Sequence, residues 1–136
     1  MKKGNERIFL KQNITTLGKD EEKYKGKHND CLVGTTCGGI LVHKSGKFVI
    51  ASNRGHDSLA VFSVNQTTGE LSEVGVFSTH GRTPRHFTWD NSGNYVIAAC
   101  QDSDYLTVFE MKETGELVFT DEKVDVKSPN FIIFRK

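Results

Sequence analysis

The segment Ala51–Val74 reads ASNRGHDSLAVFSVNQTTGELSEV, and Ala98–Phe119 reads AACQDSDYLTVFEMKETGELVF. The second is a worn copy of the first. Ser45-Gly46 returns as Ser92-Gly93, Val61-Phe62 as Val108-Phe109, and Thr83-Pro84-Arg85 as Ser128-Pro129-Asn130. The spacing starts at 47 residues and shrinks to 45, so the copies stay in step across the whole unit. Strand-rich units of about 40–50 residues are the mark of propeller blades, which bury their faces only by stacking on one another. Helical repeats of similar period need long apolar faces with 3.6-residue spacing, and glycine or asparagine turns interrupt this chain too often for that.

Within one copy the pattern is that of an antiparallel sheet. Gly39 to Val42 is a short apolar stretch ended by Lys44-Ser45-Gly46-Lys47, a polar turn with the glycine a hairpin needs. Phe48-Val49-Ile50-Ala51 is aromatic and β-branched, suited to a buried strand. Ser58 to Val64 alternates polar and apolar residues with a period near two, and Leu71 to Phe77 forms a fourth, outer strand. The expectation is an all-β chain with four antiparallel strands per blade. Residues 1–37 would hold the end of a preceding blade (Arg7 to Leu17) and a lysine-rich loop. Residues 38–136 would hold two blades, 38–83 and 84–128, and the first strand of a third at Phe131 to Phe134. A propeller closes with four to eight blades, so the chain reads as the C-terminal part of a larger ring. Its uncovered blade faces predict self-association.

Composition narrows the function classes. Eighteen basic against seventeen acidic residues leave a net charge of +1, so no global field recruits nucleic acid or an anionic membrane. No apolar run approaches the roughly 18 residues of a membrane span, and Met1-Lys2-Lys3 is followed by no signal-peptide core. Three cysteines without a leader point to reduced thiols and a cytoplasmic location.

Common catalytic motifs fail on spacing. Cys31 and Cys37, with His28 and His43 nearby, lack the C-x2–4-C spacing of a compact zinc site, so no metal is expected. Lys44-Ser45-Gly46-Lys47 superficially resembles a phosphate loop, but Leu41 stands where its first glycine should be. Ser45 has no G-x-S-x-G setting.

The strings GGILVHKSGKFVIASNRGHDSLAVFSV and GRTPRHFTWDNSGNYVIAACQDSDYLTVFEM, joined through TGEL, resemble the C-terminal blades of the lactonase family of seven-bladed propellers. The resemblance spans about residues 37–134. It implies hydrolysis of a sugar-derived lactone, most plainly 6-phosphogluconolactone of the pentose phosphate route, without a cofactor. It also implies a small anionic lactone as partner. Arg85, in Thr83-Pro84-Arg85, matches the family's proline-arginine at the start of an inner strand and is the expected catalytic residue. Arg54, in the loop leaving the second strand, is an expected substrate-binding residue, as are His56 and Gln101. His56 competes with a structural role, pinning its loop to Asp57 or a carbonyl. His86, beside Arg85, is sent by alternation to the opposite face and is expected to pack.

One departure matters. The family commonly has a carboxylate just before the inner-strand isoleucine, and here Gly39 precedes Ile40. A glycine cannot act as a general base. Two rival readings follow from it and from the family's range: a non-catalytic propeller scaffold, and a muconate-type lactonizing cycloisomerase.

Overall fold

A computed structural model describes residues 8–25 and 34–135. Eight strands form two sheets of four, each a plain antiparallel meander in chain order. The first sheet holds β1 (Thr36–Val42), β2 (Phe48–Arg54), β3 (Ser58–Val64) and β4 (Leu71–Ser78). The second holds β5 (Pro84–Trp89), β6 (Tyr95–Cys100), β7 (Tyr105–Met111) and β8 (Leu117–Asp125). The repeat therefore folds as two blades, as its pattern requires.

The central strands are apolar on both faces because each blade is meant to be covered twice. Val49 to Asn53 of β2 and Val96 to Cys100 of β6 are buried throughout. Ile50, Leu59 and Val61 of the first blade meet Phe87, Val96, Ala98, Phe109 and Met111 of the second in one continuous core. Phe87 is the inner-strand residue at its centre, 1% exposed.

The blades are also tied by a polar device that repeats. Asp57 (φ 56°) and Asp104 (φ 57°) both adopt the left-handed conformation that aspartate tolerates in turns. The Asp57 carboxylate accepts the Thr83 amide at 2.8 Å, and the Asp104 carboxylate accepts the Ser128 amide at 2.8 Å. Asp57 thus fixes the residue that leads into β5, and Asp104 the equivalent residue after β8.

Two expected flanking strands are absent. Residues 131–134 pair with no described strand, although Ile132 N–H donates to His86 Nδ1 at 3.2 Å. Residues 8–17 likewise carry no strand, and Arg7 lies outside the described residues. A ladder needs a partner edge, and neither segment has one among the described residues. The segment 8–25 is instead a strap across the first blade. It contains one 3₁₀ turn (Gly18–Asp20) and one short helix, α1 (Glu21–Tyr24), within the stretch read as a lysine-rich loop. The Gln12 side chain pairs with the edge of β4, donating to Leu71 O and accepting from Leu71 N, both at 2.8 Å. Leu17 is buried, and Thr16 is bound to Asn53.

Candidate functional site

β1 and β2 run in register at their ends, with Thr36 opposite Arg54 and Cys37 opposite Asn53. Between Cys37 and Ile40 the register slips, and Gly38-Gly39 form a bulge. The slip has a local cause. Ser52 Oγ takes the Gly39 amide at 2.9 Å, and a Cβ on Gly38 would stand 2.6 Å from that oxygen. A Cβ on Gly39 would meet Phe87 at 3.4 Å, ordinary contact, so the position has room although it carries no carboxylate.

Arg54 is the last residue of β2, where the sequence reading put a loop; pairing with Thr36 carries the ladder one step further. Its Nη2 donates to Cys37 O at 3.5 Å, and its Nε is buried without a partner. The turn that follows is rigid. Gly55 has φ +93°, and a Cβ there would fall 2.2 Å from the Gly34 carbonyl oxygen. Asp57 Oδ1 accepts Gly55 N–H at 3.1 Å as well as Thr83 N–H, tying the turn to the entry of β5.

Arg85 is the second residue of β5. The register of β5 also slips, between Pro84 and His86, which frees Arg85 from a ladder position. Its side chain is exposed and makes no hydrogen bond or ion pair with any described residue. His86 packs as expected: its ring lies 4.3 Å from that of Phe131, and burial lowers its pKa.

The second copy, with glutamine at the position of Arg54, treats its turn differently. Gln101 opens a 3₁₀ turn (Gln101–Ser103), and its amide donates to Thr83 O at 3.1 Å. Asp102 accepts the Thr83 hydroxyl, and Ser103 Oγ accepts Arg82 N–H at 2.8 Å. This turn is spent on its neighbours, whereas the turn at Arg54 borders open space.

That space is a cleft of about 690 Å³ between the strap and the first blade. Thr15, Thr16 and Glu21 form part of one wall, and Thr36, Cys37 and Arg54 part of the other. Arg85, His56 and Gln101 do not contribute to the walls. The strap is held by Thr16, whose hydroxyl donates to Asn53 Oδ1 at 2.6 Å and whose carbonyl accepts Asn53 Nδ2 at 2.8 Å. It is held again by Asp20, 3.0 Å from His56 Nε2. That hydrogen bond, helped by the charges of the imidazole and of Lys23 and Lys19, holds the Asp20 pKa below its usual value against the opposing effect of desolvation. His56 Nδ1 meets Ser58 Oγ at 2.7 Å, so both ring nitrogens are engaged, with partners other than Asp57.

Asn53, Thr16 and Glu21 were not read as site residues. Thr16 and Asn53 meet only through a contact 37 residues apart, which no local pattern reveals. Of the four residues weighed for zinc, His28 and Cys31 lie outside the described residues. His43 bonds Ser45 and Gly93, and Cys37 Sγ faces Thr16 and Asn53.

Two stacked four-stranded meanders, each tied by an aspartate to the segment that follows it, define this protein as a set of β-propeller blades. The family described as Lactonase, 7-bladed beta-propeller matches residues 2–134, and the chain belongs to that family. The 6-phosphogluconolactonase of Bacillus subtilis is 43% identical over 96 residues, covering 70% of this chain and 28% of that relative. The 6-phosphogluconolactonase of Formosa agariphila is 41% identical over 81 residues, 57% of this chain and 23% of that one. The solved periplasmic gluconolactonase of Pseudomonas aeruginosa superposes with a TM-score of 0.69 at 33% identity, over 72% of this chain and 28% of its own. The chain thus spans less than a third of the length of these relatives.

Proposed function

We propose that these blades carry the anion-binding side of a lactone hydrolase acting on a phosphorylated sugar lactone such as 6-phosphogluconolactone. The observation that carries this reading is Arg54, a guanidinium on the cleft wall whose Nε has no partner and whose one side-chain hydrogen bond among the described residues is a long one to Cys37 O. A planar guanidinium fork suits a phosphate or carboxylate, and the same charge stabilises the oxyanion formed when a lactone carbonyl is attacked. Arg85, exposed and uncommitted on the adjoining inner strand, is a second cation for the anionic substrate. Gln101 would serve as a polar neighbour, and His56 would act through the strap it holds.

The named relatives are lactonases, which supports opening a lactone over closing one, and a catalytic role over a scaffold. The reaction places the protein after an oxidation that makes a sugar lactone, as in the pentose phosphate route, and in the cytoplasm where that route runs.

The test is hydrolysis of 6-phosphogluconolactone, corrected for its spontaneous opening, by this chain and by Arg54→Ala and Arg85→Ala. Removing an oxyanion or substrate-charge contact is expected to cut turnover by about 10²–10³-fold. Equal activity of both variants and the unaltered chain would remove the two arginines from the site.

A further inference from the structure

Opening a lactone with water needs a base as well as a cation. As the water oxygen bonds to the carbonyl carbon, its proton must go to an acceptor. When the ring C–O bond breaks, the departing alkoxide takes that proton back, so one water is consumed and the base is regenerated.

The known candidates for this acceptor are occupied or missing. Gly39 has no side chain. His56 is bonded through both ring nitrogens, to Ser58 and Asp20. Asp57 is spent on the amides of Gly55 and Thr83. The Cys37 thiol is turned to Asn53 Oδ1 at 3.8 Å and to the Thr16 hydroxyl at 3.5 Å.

Glu21 is different. It is the carboxylate in the wall of the cleft, on the strap side, while Arg54 stands on the blade side. Its exposed carboxylate makes no hydrogen bond or ion pair with any described residue, whereas its neighbour Glu22 is engaged with Lys25 at 3.3 Å. Its backbone is fixed from the preceding residue: Asp20 N–H donates to Leu17 O at 3.0 Å, Asp20 Oδ2 holds His56, and Leu17 is buried. The backbone that carries this carboxylate is thereby anchored at the edge of a cleft that contains an arginine.

We propose that Glu21 is the general base of the hydrolysis, delivered to the cleft by the strap in place of a carboxylate on the inner strand. The proposal rests on the lactone-hydrolase reading. Glu21 takes the proton of the attacking water, Arg54 meets the oxyanion, and His56 with Asp20 position the strap.

The experiment compares the unaltered chain, Glu21→Gln and Glu22→Gln on 6-phosphogluconolactone from pH 5 to 8, with kcat and KM resolved separately. Glu21→Gln is expected to lose about 100-fold or more in kcat, in keeping with the loss of a positioned base, with KM within about threefold. Glu22→Gln should match the unaltered chain. Hydrolysis by the unaltered chain whose kcat persists within about twofold in Glu21→Gln overturns the base and leaves the hydrolase reading standing. No hydrolysis by the unaltered chain removes the hydrolase reading itself, and the base with it.

Discussion

At the scale of single residues, the contrast between Arg54 and Gln101 is the most informative feature of the chain. It was legible in the sequence because the two copies align, and one turn carries a cation where the other does not. The different settings of the two turns were not legible: the second coils onto Arg82 and Thr83 through the Gln101 backbone N–H and the Asp102 and Ser103 side chains, partners that only the fold brings together. His86 shows the same division. Alternation placed it in packing contact, but its Nδ1 also accepts the Ile132 amide, which requires the neutral ring. Burial lowers its pKa below the ordinary value of 6.5. The unfolded chain therefore binds more protons than the folded one between that lowered pKa and 6.5, and stability must rise with pH across this window. Denaturant midpoints measured from pH 5 to 7.5 should climb toward 6.5 and then level off. In His86→Phe this slope should be reduced, and an unchanged slope would assign it to another group.

At the scale of elements, the strands were readable and the strap was not. Strands β2, β3, β6 and β7 carry apolar residues in patterns set by the pleat, and glycine turns mark their ends, so local sequence contains most of the answer. The strap has no such pattern. Its course follows from distant polar partners, above all Asn53, which is 1% exposed and bonds Thr16 twice and Ser58 once. The flanking segments 8–17 and 131–134 failed as strands for a related reason: apolar residues favour a strand, but only a neighbouring edge makes one. Because Asn53 joins strap to blade, Asn53→Ala should leave the Thr16 hydroxyl and carbonyl without their partner. The expected cost is about 1–3 kcal/mol in urea unfolding. Cleavage by added protease within residues 8–25 should accelerate more than cleavage in the blades. Uniform acceleration across the chain would mean that the strap is not separately anchored.

At the scale of the whole molecule, each blade face asks for a neighbouring blade, and among the described residues only the faces between the first and second blades have one. Phe87, Val96 and Phe109 are buried there, while Phe131 and Ile133 stand 67% and 83% exposed beyond the second blade. Ile8, Phe9 and Leu10 are similarly uncovered on the strap. Apolar groups of this size in contiguous positions lower the free energy of any arrangement that covers them, at about 25 cal/mol for each Å² removed from water. In the longer relatives further chain is available for that purpose; for this chain in isolation a second copy is the nearest source of apolar surface. Sedimentation across a range of concentrations should show mass rising above 15.2 kDa. The double variant Phe131→Asp, Ile133→Asp should shift that rise to higher concentration, because a carboxylate cannot be buried against an apolar face without a partner. A single sharp species of monomer mass at high concentration would show instead that the uncovered faces are satisfied within one chain, and the fragment-of-a-ring reading would lose its physical basis.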